Sequence, residues 1–142
     1  NAKVMVNGDV VFTIAGGPIR IEELLSEYIT VDDATASTMQ WQSAPTVGTA
    51  TTISGATTSL AAAALTGGVG ATIRLTPTAL STAPTISLAS AGGVQLGLVA
   101  QNKITVQPGT LKLVIGTGST TGTWKHFLRY TPLAQNVTVS GS

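Results

Sequence analysis

Short apolar alternations, each closed by glycine, proline or an Asn-Gly pair, recur along the whole chain, and this constrains its fold more than any other feature. Val10, Phe12 and Ile14 alternate, as do Met39 and Trp41 within Thr38 to Ser43, Ile104 and Val106, then Leu111, Leu113 and Ile115, and last Val137 and Val139. Ala71 to Leu75, Pro84 to Leu88, Val94 to Val99 and Trp124 to Tyr130 read as further short strands. Period-two patterning in runs this short gives strands with one buried face, and β-branched Thr and Val favour the pleated state. About ten short strands divided by turn signals predict an all-β, single-domain β-sandwich or jelly roll over residues 1–142, antiparallel, with at most one short helix.

Three local readings refine this. Asn7-Gly8 between apolar runs predicts an N-terminal hairpin with a type I′ turn. Residues 19–31 are ambiguous. Ile21, Leu24, Leu25 and Tyr28 fit a helix face, whereas Ile19, Ile21, Leu25, Ile29 and Val31 fit a strand face that Glu23 and Glu27 interrupt. The absence of a cap before Ile19 and the β surroundings favour a long strand. Leu60 to Leu65 has room for a turn or two of helix before Gly67, Gly68 and Gly70 stop it.

Charge is scarce: 9% of residues are ionisable acids and bases, against about a quarter in typical domains. Ser and Thr replace them, at 35 of 142 residues. All six acids (Asp9, Glu22, Glu23, Glu27, Asp32, Asp33) fall in the first 33 residues, alongside Lys3 and Arg20, while Arg74, Lys103, Lys112, Lys125 and Arg129 follow with no acid among them. Such segregation predicts that acidic and basic surfaces meet between copies of the chain, setting orientation more than affinity. With no run of eighteen apolar residues and no basic-then-apolar leader, neither a membrane span nor an export signal is expected.

The residues that carry chemistry are few. Without cysteine there is no disulfide, thiolate ligand or thiol nucleophile. His126 is the one histidine, and a triad around it would need an acid imported from the far end of the sequence. One histidine cannot make a zinc site, and Glu27 with Asp32-Asp33 is a weak calcium set. Gly116-Thr-Gly118-Ser-Thr-Thr-Gly122 imitates a dinucleotide fingerprint, but a strand-like run follows it and no acid comes after. Asn136-Val-Thr138 is a glycosylation acceptor only in a eukaryotic secretory setting. Trp124, Lys125, Arg129 and Tyr130 are the one basic-aromatic run, and a net charge of +1 argues against nucleic acid. No enzyme, cofactor, metal, nucleic acid or membrane partner is expected.

The stretch DATASTMQWQSAPTVGTATTISGAT (33–57) and the run GTGSTTGTWKHFLRYTPL (116–133) resemble small structural proteins of tailed phages, in particular the jelly-roll cementing, or decoration, proteins of the kind seen on a Bordetella phage head. The resemblance implies a homotrimer on the outer capsid surface of the virion, made in the bacterial cytoplasm, clamping major capsid protein subunits against internal pressure. It carries over no catalytic residue. The candidate contact residues are Trp124, Lys125, Phe127 and Arg129 on the last long strand, with Glu22, Glu23 and Glu27 from the head. The alternative from another class is a receptor- or carbohydrate-binding module of a tail fibre or adhesin, with Tyr28, Trp41 and Trp124 as its stacking platform.

Overall fold

A computed structural model describes residues 2–4, 6–30, 37–57, 60, 69–75, 85–87, 103–116 and 122–142. These form eleven strands and no helix: β1 (Lys3–Val4), β2 (Val10–Ala15), β3 (Ile19–Thr30), β4 (Thr38–Pro45), β5 (Thr51–Thr52), β6 (Thr72–Arg74), β7 (Thr85–Ser87), β8 (Ile104–Val106), β9 (Gly109–Gly116), β10 (Thr123–Pro132) and β11 (Thr138–Gly141). Residues 61–65 and 94–99, where a helical turn and a strand are expected, lie outside the described residues.

Two antiparallel sheets result. Sheet A has the order β1-β10-β3-β6-β7, with β8 beside the first residues of β3, and sheet B has the order β11-β2-β9-β4-β5. The pairs β1:β10, β2:β9, β3:β6 and β4:β5 are nested like the two arms of one long hairpin, and rolling that hairpin up leaves 1-10-3-6 facing 2-9-4-5. That pairing is the jelly roll. The expectation of an all-β sandwich therefore holds, and 19–30 is a strand.

The Asn7-Gly8 turn does something other than expected. β1 and β2 do not pair; they belong to opposite sheets, and the turn carries the chain from one to the other. Gly8 has φ 85°, while among the described non-glycine residues positive φ occurs at Asn136 alone, so only the third turn position is left-handed, as in type II rather than type I′. The turn is fastened to β9. Asn7 Oδ1 accepts from the Ile115 amide at 3.0 Å, and Gly8 N donates to Leu113 O at 2.9 Å. Bonds to a third strand outweigh the local preference for a hairpin.

Strand β3 explains its own ambiguity. Arg129 pairs with Glu23 and Tyr130 with Ile21, so Glu22 is an extra residue, a β-bulge. The bulge switches the parity of the strand: Ile19 and Ile21 are buried, and then Leu24, Ser26 and Tyr28. An inward set at 21, 24 and 28 has helical spacing although the backbone is extended. A second bulge at Val11 likewise places Val11 and Phe12 both in the core.

The core lies between the sheets. Ile19, Ile21, Leu24, Tyr28 and Trp124 come from sheet A, and Ile14, Met39, Trp41, Leu111 and Leu113 from sheet B. Trp124 packs on Tyr28 with ring centroids 3.5 Å apart, and Tyr28 Oη donates to Leu60 O at 3.2 Å. Burial of rings this size supplies much of the folding free energy.

The Thr/Ser-rich stretch after β5 closes an edge. Ile53 N and Thr57 N donate to the carbonyls of Trp41 and Met39, while Ser54 Oγ and Thr57 Oγ1 accept from the amides of those same residues. Side-chain hydroxyls thus substitute for the backbone carbonyls of a missing strand and cover the β4 edge beyond β5.

Candidate interaction face

The outer face of sheet A gathers most of the chain's charge because of how the roll nests. β3 sits in the middle of the sheet and carries Arg20, Glu22, Glu23 and Glu27. Its neighbours come from the far half of the chain: β6 brings Arg74, β10 brings Lys125 and Arg129, and Lys103 immediately precedes β8. Residues opposite one another in register share a face. Lys125 stands against Glu27, Phe127 against Leu25 and then Arg74, and Arg129 against Glu23.

The bulge is the electrostatic hub. Both glutamates there turn outward. Glu22 accepts from Arg20 Nε at 2.8 Å and from Thr131 Oγ1 at 2.7 Å, and it is ion-paired with Lys103. Glu23 pairs with Arg74 at 3.0 Å and more loosely with Arg129 at 3.9 Å. Hydrogen bonds from Lys103, Thr131 and Arg20, in that order, hold the Glu22 carboxyl down to about 2. Opposite charges from the two ends of the sequence therefore meet within one chain. The segregation along the sequence is thus used, at least in part, to pair β3 with its neighbours inside one chain.

Six of the seven candidate contact residues come together here, but in different states. Lys125, Phe127 and Arg129 are exposed, Phe127 at 46% and the Arg129 side chain at 74%. Glu22 and Glu23 are partly covered and occupied by intramolecular cations; Glu27 is partly covered. Trp124 is fully buried, on the inward side of β10, and cannot touch a partner. Leu25, Arg20, Arg74 and Lys103 complete the face. The signal that would have found Leu25 is its alternation with Glu23 and Glu27, legible only once a bulge is placed at Glu22.

The stacking platform fails for the same reason as Trp124. Tyr28, Trp41 and Trp124 are 2%, 0% and 0% exposed, so no sugar can lie on them. They are core.

His126 is on the inner side of β10, where its Nδ1 is 2.7 Å from Ser26 Oγ. A serine at hydrogen-bond distance from the histidine is half of a nucleophilic pair. The other requirements are not met among the described residues: no carboxylate contacts His126, and Ser26 is fully buried. Burial first, and the nearby Lys3 charge next, push the imidazole down to about 4. The pair ties β10 to β3.

The remaining motifs are quickly placed. Gly116 ends β9, and β10 begins at Thr123, so a strand follows the glycine run where a phosphate fingerprint needs a helix. Residues 117–121, Asp32 and Asp33 lie outside the described residues, and among those described no cluster of acids and histidine is arranged to hold a metal ion. Asn136 is on an exposed turn at φ 61°. An open cleft of about 190 Å³ between β4, β5 and β8 is lined by Ser43, Pro45, Thr51, Ile53, Ile104 and Val106 among others, with no ionisable or aromatic side chain in its wall.

No family model matches the chain, and no curated protein or solved structure is significantly similar to it.

Proposed function

We propose that the chain is a non-enzymatic structural protein of a tailed-phage virion, seated as a homotrimer on the outer capsid surface, where it bridges major capsid protein subunits. The observation that carries this reading is the combination of a jelly roll with one charged outer sheet face bearing an exposed phenylalanine. Jelly rolls recur in viral coat proteins, and also in lectins and cupins, so the fold alone does not choose among them. The resemblance of residues 33–57 and 116–133 to phage cementing proteins favours the first. The burial of Tyr28, Trp41 and Trp124 removes the platform on which the glycan-binding alternative rested.

The mechanism is interfacial. A rigid sandwich laid across a junction of capsid subunits resists their separation through the contacts it makes to both. The test compares virions with and without the chain under heating and osmotic shock. Loss of DNA at milder stress from particles lacking it is the expected result, and equal survival overturns the reading. Sedimentation of the isolated protein checks the trimer, which a stable monomer would rule out.

A further inference from the structure

We infer that the outer face of sheet A, along the Lys125-Phe127-Arg129 stripe of β10, docks an acidic protein surface of a different protein. This rests on the capsid reading above and names the chemistry of the partner at that junction. Five cations lie on the face (Arg20, Arg74, Lys103, Lys125, Arg129) against three carboxylates (Glu22, Glu23, Glu27). Glu22 and Glu23 are engaged by Arg20, Lys103 and Arg74, which turns those charges inward on one another.

What is left over is cationic and sits on β10. Arg129 reaches Glu23 only at 3.9 Å with its side chain 74% exposed, so its planar fork is open to a second carboxylate. Lys125 is exposed and, among the described residues, no ion pair within 4.0 Å holds it. Phe127 projects between them, 46% exposed, with Leu25 beside it. Alternate residues on a strand are spaced by about 6.6 Å, so the stripe offers cation, ring and cation over about 13 Å. A complementary surface presents two carboxylates flanking an apolar patch. The opposite sheet shows no such pattern: its outer side carries Thr13, Gln40, Gln42, Thr110 and Ser140 with Val10 and Val114 among them, and Lys112 is its charged residue, with no aromatic ring beside it.

A protein fits better than nucleic acid. Strong phosphate binding needs several free cations in a row, and here Glu23 and Glu27 stand between the cations and would repel a phosphate backbone.

The test measures binding of the full chain to capsids of the parent phage that have been stripped of it. K125Q/R129Q should weaken binding roughly tenfold and reduce its salt dependence. F127A should weaken it several-fold, because an exposed ring flanked by cations has the composition of an interface anchor. K112Q, which removes one positive charge from the other sheet, should bind like the wild type, whereas R129Q, which removes one from this face, should not. Circular dichroism and thermal melting check that each variant is folded; their exposure makes unfolding an unexpected outcome, and Arg129→Lys gives a conservative second variant that should retain part of the affinity. Equal binding of K125Q/R129Q and wild type overturns the inference while leaving the capsid reading intact. Equal weakening by K112Q overturns it as well, since net charge would then suffice. So does a loss confined to the oligomeric state in sedimentation, which would make this face a contact between copies, or retention on duplex DNA that the double variant abolishes. A wild-type chain that does not bind stripped capsids sinks the capsid reading itself, and this partner with it.

Discussion

The two outer faces of the sandwich differ sharply although the two sheets share one core. Sheet A's carries eight charged side chains; sheet B's is Thr, Ser, Gln and Val around a single lysine. The difference teaches how a chain with so little charge places it. In a jelly roll the third strand is paired with strands from the far half of the sequence, so acids written early and bases written late come to lie side by side. Segregation in sequence becomes alternation in space. Sheet B keeps its edge in order with hydroxyls instead: Ser54 and Thr57 accept from the amides of β4.

The largest expected effects test whether the two sheets are one cooperative body beneath these unlike surfaces. Each contributes one fully buried tryptophan, Trp124 from sheet A and Trp41 from sheet B. Trp124→Ala and Trp41→Ala should each cost about 3–5 kcal/mol in denaturant unfolding, with single coincident transitions. Both indole N–H groups are buried without a hydrogen-bond partner among the described residues, an expense of roughly 1–3 kcal/mol apiece. Trp→Phe at either site should therefore cost distinctly less than Trp→Ala. Two separated transitions in either alanine variant would break the picture of a single core. Next in size is Gly16→Ala, at about 2–4 kcal/mol by thermal melting. Gly16 has φ 81°, and a Cβ there would lie 2.1 Å from the Asn136 carbonyl oxygen, on the turn that leads into β11. A near-neutral result would mean that this turn can retreat from β2 freely.

How much of this was legible beforehand depends on the strand. β9 and β10 alternate without interruption, so their inner and outer faces were readable residue by residue: Leu111, Leu113 and Ile115 in, and Lys125, Phe127 and Arg129 out. β3 was not, because one extra residue at Glu22 shifts the parity halfway along and gives an extended strand a helical spacing of apolar positions. The Asn7-Gly8 signal pointed to a hairpin because local turn chemistry cannot announce that β9 will accept the turn instead. The candidate face was half legible. The exposed stripe on β10 follows from alternation, whereas Trp124, on the same strand, has the opposite parity and faces the core. Arg74 and Lys103 could not be placed, because they reach β3 only through pairings between distant segments.

Acid should separate the strand ties of sheet A from the neutral surface of sheet B. His126 has a folded value of about 4 against an ordinary 6.5, so the unfolded chain takes up the proton first. Its contribution is fully present above 6.5 and is lost as pH falls from 6.5 to 4. Glu22, at about 2 against 4.5, holds its contribution above 4.5 and loses it between 4.5 and 2. Unfolding midpoints measured against pH should fall in two steps. His126→Gln should flatten the upper one and Glu22→Gln the lower. A midpoint profile in which His126→Gln leaves the fall between pH 6.5 and 4 unchanged would deny that this tie of sheet A titrates.

The smallest effects bear most directly on what the charged face is for. Lys112→Gln on sheet B and Arg129→Gln on sheet A should each change stability by less than about 0.5 kcal/mol, because exposed ion pairs contribute little once screening and side-chain entropy are counted. Glu23 retains Arg74 at 3.0 Å when Arg129 is gone, so little of the local pairing is lost. The comparison is sharpened by this near-equality. If the two substitutions are alike in urea midpoint and differ only in binding, Arg129 is held on the surface for a partner. A cost above about 1.5 kcal/mol for Arg129→Gln, with Lys112→Gln neutral, would instead make the outer charges of sheet A part of what holds β10 against β3, and the asymmetry between the faces would be a matter of folding.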